Sequence, residues 1–309
     1  MKIKTTLYRF TTKLLSILPF NQILFKIIRK NTWLSKKIYL DLKFLAIFDV
    51  KITNSSKFKL KHFGGRIESE TFWFGLFNTF EKESGWLWIK LSKNARVVFD
   101  IGANTGIYSL VTKSINKTSI IHAFEPSKNT YNKLRENNKI NNFNIICNEI
   151  ALSNTDGFST FFDSFDSNQT SASMSIEMSN NWTDYQINKY SVQTMTFKNY
   201  IKKNNINIEE IDLIKIDVEM YEPEVMEGFE DIVYNLNAFI FIEVLNDIVA
   251  QKLNVIFDNK FTFYHLQEKE TLIKCKSLKV VPLKWNYLAC PNNLVQNFEQ
   301  RFMDHLKTV

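Results

Sequence analysis

The stretch that most restricts the fold is the apolar run Val97-Val98-Phe99-Asp100-Ile101, which breaks at Gly102-Ala103-Asn104-Thr105-Gly106 and resumes at helical spacing from Ile107 and Tyr108. It reads as strand, tight loop and helix. Two of the chain's eight glycines lie in this one loop. In a chain so poor in glycine they answer a backbone requirement, because a loop that bends sharply and lets a ligand reach its amides needs residues without side chains. A dinucleotide fingerprint would place glycine at 102, 104 and 107. Asn104 and Ile107 stand there instead, which weakens that reading and leaves the pattern D-x-G-x-N-x-G.

Further on, Ile120-Ile121-His122-Ala123-Phe124-Glu125-Pro126 reads as a second buried strand that ends in a carboxylate, where an acid can accept both ribose hydroxyl hydrogens of a nucleoside. Together the two stretches resemble the first motifs of S-adenosylmethionine-dependent methyltransferases, whose cofactor carries no phosphate. Pro126 and Ser127 then supply a helix start, with Tyr131, Leu134 and Asn138 at three-to-four spacing, before a third short strand over 143–147. This rhythm predicts an α/β fold with a mostly parallel sheet and helices on both faces. Ligands of such sheets gather beyond the carboxyl ends of the strands, where Asp100, Gly102 and Glu125 would lie.

Ile211-Asp212-Leu213-Ile214-Lys215-Ile216 is a further apolar strand that runs out into Asp217, Glu219 and Glu222, with Pro223 near the first turn of a helix. If it lies beside the first strand, its end reaches the ligand site. Asp217 is then the first candidate for a general base, Glu219 the second and His122 a distant third. A carboxylate at that point has a second open role, holding a divalent cation. His122 falls in mid-strand and reads as a core histidine. Residues 239–244, 261–266 and 287–290 supply the remaining strands. Residues 158–162 and 192–197 look like two strands flanking a Ser/Asn/Thr-rich stretch from Asp163 to Asn188, read either as a loop folded over an acceptor or as a surface insertion.

The charge is local. Residues 1–61 carry fourteen Lys or Arg against only Asp41 and Asp49, so this segment exceeds the net charge of +7 and the rest of the chain is acidic. Its apolar runs are interrupted by Pro19, Asn21 and Gln22, well short of the ~20 apolar residues of a membrane span, and no cleavage site of a secretory signal follows. A cytoplasmic location is expected. Leu14, Leu15, Leu18, Ile23, Leu24, Phe25, Ile27 and Ile28 alternate with Lys13, Lys26, Arg29 and Lys30. The pattern suits a basic amphipathic helix at the inner surface of an anionic membrane, or a helical extension packed on the main domain. Nucleic acid is not expected, since no nucleic-acid motif accompanies the charge. Three scattered cysteines exclude a disulfide framework, and four separated histidines give no zinc-ligand spacing, so no metal is expected. The resulting organisation is a basic extension over 1–61, an aromatic lead-in over 62–95, a catalytic domain over 96–293 and a C-terminal helix or tail over 294–309.

F-D-I-G-A-N-T-G at 99–106, F-E-P at 124–126, A-L-S at 151–153, K-I-D-V-E-x-x-E at 215–222 and I-E-V at 242–244 occur in this order and resemble the FkbM-type methyltransferases. The resemblance spans roughly residues 97 to 266. It implies a class I, Rossmann-like fold with a seven-stranded sheet, S-adenosylmethionine as cofactor, and O-methylation of a hydroxyl, most suitably on a sugar of a bacterial surface glycan or glycolipid. Cofactor contacts are implied at Asp100, Gly102, Asn104, Gly106 and Glu125, with Asp217 and Glu219 facing the reaction. Two positions depart from the family pattern: Met220 stands where glycine is usual, and Lys198 where aspartate is usual. Met220 puts the local turn in question and leaves a non-catalytic cofactor-binding homologue as an alternative, beside a nucleotide-sugar oxidoreductase.

Overall fold

The computed structural model describes residues 21–29, 36–43, 45–164, 172–174 and 187–307. A boundary between two compact units falls after Glu81. In the first unit, helix Asn21–Ile28 buries Phe25 and exposes Ile23, Leu24 and Ile27. Leu14, Leu15, Leu18, Lys13 and Lys30 of the expected amphipathic pattern lie outside the described residues. β1 (Ile47–Lys51) and β2 (Lys57–Lys61) form an antiparallel hairpin. Its alternation turns Phe48, Val50, Phe58 and Leu60 inward and Lys51, Lys57 and Lys59 outward. Trp73 of helix Arg66–Phe74 gathers Phe25, Tyr39 and Phe72 with ring centroids 4.9–5.4 Å apart. Among the described residues no helix is long and apolar enough to cross a membrane.

The second unit is built on β3 (Val97–Ile101), β4 (Ile120–Phe124) and β5 (Ile146–Asn148), separated by helices Ile107–Ile115 and Lys128–Ile140. β6 (Ala151–Leu152), β7 (Gly157–Ser164), β8 (Ala172–Ser173) and β9 (Ile187–Met195) follow. β10 (Ile211–Ile216), β11 (Phe239–Glu243) and β12 (Phe261–Gln267) return to the main sheet, which β13 (Thr271–Cys275), β14 (Asn286–Pro291) and β15 (Leu306–Lys307) complete. The main sheet runs β15-β13-β12-β14-β11-β10-β3-β4-β5. From β5 to β11 every pairing is parallel, and β14 enters antiparallel to both β11 and β12. The chain winds outward from β3 to β5 and then restarts at β10 on the other side of β3. The switch point of this doubly wound sheet therefore lies between β3 and β10.

The expected α/β fold is present, but the expected strand count is corrected from seven to nine among the described residues. The seven strands from β5 to β12 give the anticipated sheet. β13 is added by a tight turn in which Lys269 and Glu270 both adopt positive φ, 58° and 53°. A turn of that hand suits a hairpin, but without glycine or asparagine it leaves no mark in the sequence. All five residues of β3 are buried, as an unbroken apolar strand in the middle of a covered sheet requires. Phe99 lies stacked beside His122 and Phe124, and Phe197 and Tyr200 of helix Phe197–Lys203 cover it.

The long loop expected from Asp163 to Asn188 is shorter than the sequence suggested. β7 and β9 pair antiparallel as far as Ser164 and Ile187, and Ala172–Ser173 adds a short strand to β7. With β6 they form a second, four-stranded sheet. The two flanking strands are present as expected, and Phe161 and Val192 on them make a small core with Ala151 and Met174; the polar composition between them hid their extension and the short strand Ala172–Ser173.

Candidate functional site

Beyond the strand ends of the main sheet, backbone hydrogen bonds continue from one loop to the next. Asp217 N donates to Ile101 O (3.0 Å), Gly102 N and Ala103 N donate to Phe124 O (3.1 and 2.9 Å), and Glu125 N donates to Asn148 O (3.0 Å). The loops after β10, β3, β4 and β5 are thus tied together at the switch point. Gly102 has φ 79° and Gly106 φ 93°. A Cβ at Gly102 would strike the backbone carbonyl of Asp217, so this glycine is demanded by close approach as well as by φ. Asn104, at φ 50°, uses one of the few side chains that tolerate the left-handed region, and its Oδ1 accepts from Thr105 N at 2.8 Å.

The site acids divide by environment. Asp100 is 1% exposed, and its Oδ2 accepts from Ser109 N (3.0 Å) and Ser109 Oγ (2.6 Å), so it caps the first turn of helix Ile107–Ile115. Burial pushes its carboxyl up, while Lys215 and the Ser109 bonds hold it down. Glu125 is also buried, with Oε2 accepting from Asn104 N (3.0 Å) and Oε1 from Ser127 N (2.9 Å). Burial raises its carboxyl to about 7 against these bonds. Each oxygen keeps a second lone pair, so the capacity to accept ribose hydroxyls is retained. Ser127 Oγ and Tyr190 OH both lie 3.4 Å from Asp163 Oδ2, which brings the β7–β9 sheet alongside the end of β4.

Asp217 is half-buried and ion-paired with the buried ammonium of Lys215. Glu243, at the end of β11, offers a carboxylate oxygen within 4.8 Å of one from Asp217. The cation that meets Asp217 Oδ2 is the ammonium of Lys215. His122 is taken out of the reaction. Its Nδ1 lies 2.8 Å from Tyr200 OH, and burial lowers its pKa to about 4, so it is a neutral core histidine in mid-strand.

Glu219 and Met220 follow at φ 56° and 72°. Met220 thus stands in the left-handed region that glycine enters freely, and methionine adopts it at a cost in strain. Two groups brace the turn. Ser173 Oγ of β8 donates to Glu219 O at 2.6 Å, and Glu222 Oε1 accepts from Val218 N at 3.1 Å. Glu222 is fully buried, its Oε2 has no hydrogen-bond partner, and burial raises its carboxyl to about 8. The second departure is harmless to the site, because Lys198 points outward to Glu230 and Asp231 at 2.7 and 2.9 Å.

In the sequence Lys215 and Glu243 stood only as members of the motifs at 215–222 and 242–244, Glu222 suited an acid at a helix start, and Ser173 was not singled out. Lys215 had a signal, since residues two apart on a strand share a face and Asp217 follows at that spacing. Ser173 had none, because its contact joins segments distant in sequence.

Two outcomes follow from the strained turn and the buried acid. Met220→Gly and Met220→Ala remove the same packing but differ in φ tolerance. The glycine variant should be the more stable by about 1 kcal/mol in urea denaturation, the reverse of the order at an ordinary helical position. Glu222 binds its proton more tightly folded than unfolded, so its contribution is fully present below pH 4.5 and lost as pH rises through about 8. Glu222→Gln should therefore melt with the wild type at pH 4 and above it at pH 9.

A cofactor with ribose and sulfonium groups fits this donor set. Glu125 has acceptor capacity to spare, Thr105 Oγ1 is buried in the loop without a partner, and the half-buried carboxylates of Asp217 and Glu243 suit a nearby positive charge. The methyltransferase FkbM domain family matches residues 100–265. No curated protein sequence matches the chain. Among solved structures, methyltransferase FkbM from Methylobacillus flagellatus KT is 13% identical over 63% of this chain and 43% of that one, with a TM-score of 0.40. An S-adenosylmethionine-dependent O-methyltransferase from Thermotoga maritima is 10% identical over 68% and 64%, TM-score 0.37. The O-methyltransferase from Bacillus cereus, solved in complex with SAH, is 12% identical over 67% and 79%, TM-score 0.38. This chain spans less than half the length of the first of these proteins and less than two thirds of the second. The family match covers more than half of its residues and includes the loop, the β4 acid and the β10 turn: the chain belongs to the FkbM methyltransferase family.

Proposed function

We propose that the protein is an S-adenosylmethionine-dependent O-methyltransferase acting on a hydroxyl, with a sugar of a surface glycan or glycolipid as the acceptor class. The observation that carries the reading is the tie between the β3 loop and the Asp217 carbonyl, which sets the glycine loop, Glu125 and Asp217 at adjacent strand ends. The cofactor supplies an electrophilic methyl group on a sulfonium. Glu125 holds the ribose, the Gly102 to Gly106 loop lets the cofactor approach backbone, and Asp100 fixes that loop through the helix it caps. Asp217 orients the acceptor hydroxyl and takes its proton, and Glu219 stands next to it in the turn. A sugar hydroxyl is a weak nucleophile, so alignment and a positioned base supply most of the acceleration, the base about 10²–10⁴-fold.

Two features favour work at an anionic membrane surface in the cytoplasm. The helix Asn21–Ile28 exposes Ile23, Leu24 and Ile27, and the outer face of the first hairpin carries Lys51, Lys57 and Lys59.

Calorimetry tests the cofactor assignment. Glu125→Ala should weaken S-adenosylmethionine by about 1.5–3 kcal/mol. Wild-type affinity should fall as pH drops through about 7, where the Glu125 carboxylate gains its proton. Tighter binding of NAD would return the site to an oxidoreductase. For the chemistry, Asp217→Asn should bind the cofactor nearly as well as the wild type but lose about two orders of magnitude in turnover with a sugar acceptor. Full activity in that variant removes Asp217 from the mechanism. Vesicles containing phosphatidylserine should sediment the protein at low salt and release it at high salt; equal sedimentation with neutral vesicles would refute the membrane contact.

A further inference from the structure

Lys215 has no part in the cofactor contacts, yet its side chain is only 6% exposed. Burying an ammonium is costly unless its charge is matched. Leu213, two residues earlier on the same face of β10, shows that the sheet accepts an aliphatic side chain there. The lysine is matched on two sides. Parallel register sets it opposite Asp100 on β3, whose carboxyl it draws down, and its ammonium pairs with Asp217. The Tyr108 ring lies beneath it, 4.6 Å from the ammonium to the centroid. Within this unit Asp217 is otherwise surrounded by acids: Glu243 from β11, Asp100 from β3, and Glu219 and Glu222 from its own loop.

We propose that Lys215 is a positioning residue for methyl transfer, its ammonium paired with Asp217 so that the Asp217 carboxylate is fixed at the end of β10 as proton acceptor. The inference rests on the reading of Asp217 as the base. The acceptor oxygen forms its bond to the methyl group with a lone pair, the pair of the broken sulfur–carbon bond stays on sulfur, and the hydroxyl proton passes to Asp217. Asp217 is then neutral and stays within reach of the Lys215 ammonium, which also lies over the Tyr108 ring.

The test reads the carboxylate directly. In full-length protein labelled with ¹³C at the aspartate carboxyls, the Asp217 signal is the one missing from Asp217→Asn, and its titration midpoint is compared between the wild type and Lys215→Met. Loss of the cation should move the midpoint up, and Lys215→Arg should restore it. An unchanged midpoint in folded Lys215→Met overturns the proposal. If that variant fails to fold, the double variant Asp100→Asn with Lys215→Met, which removes both buried charges together, is judged by the same criterion. A midpoint that moves while Asp217→Asn keeps full methyl transfer leaves the ion pair standing but overturns the role assigned to it. Failure of S-adenosylmethionine to bind in calorimetry, by contrast, rejects the function and leaves the titration result intact.

Discussion

The site depends on backbone contact past the ends of the strands. Hydrogen bonds from Asp217 N to Ile101 O and from Gly102 N to Phe124 O carry the sheet's pairing one step into the loops. This is possible only because position 102 has no side chain: a Cβ would occupy the place of the Asp217 carbonyl. The glycine thus does more than permit a bend. It lets two loops that belong to different halves of a doubly wound sheet share one surface, and every functional group discussed above is referred to that surface.

Around it the chain accepts several unfavourable terms. Glu125 and Glu222 are buried acids with raised pKa, Lys215 is a buried cation, and Glu219 and Met220 are left-handed without glycine. Each is held by specific partners: backbone amides for the acids, Asp217 and Asp100 for the lysine, and Ser173 for the turn. Such terms persist where surrounding structure over-determines them, and they are concentrated here at the switch point. The small β6-β9-β7-β8 sheet has a double part in this, reaching Ser127 beside Glu125 through Asp163 and the Glu219 turn through Ser173.

The two departures from the family pattern illustrate how position decides consequence. Lys198 replaces an acid yet lies in an exposed ion pair with Glu230 and Asp231, where little is at stake. Met220 lies in the turn itself. Its side chain packs against the main core, and contacts with that core offset the strain that glycine would have avoided.

The order of elements, the α/β class and the two ends of the site were legible because they are local. Apolar runs, a glycine loop and strand-terminal acids mark Val97–Ile101, Glu125 and Asp217 without reference to anything distant in the chain. The extra strands β13 and β15 were not legible, since the turn before β13 uses Lys269 and Glu270 at positive φ. Of the four-stranded sheet, the apolar parts of β7 and β9 were legible as strands, but their pairing and the added strand Ala172–Ser173 were not, because the polar sequence between them carries no strand signal. The environments of the acids were decided by tertiary structure alone. That Asp100 is turned onto Ser109, that Glu125 is closed off from water and that Asp217 meets Lys215 depend on which strands become neighbours. Sequence fixes which groups can ionise, whereas burial and the charges brought beside them by packing determine which state each one holds.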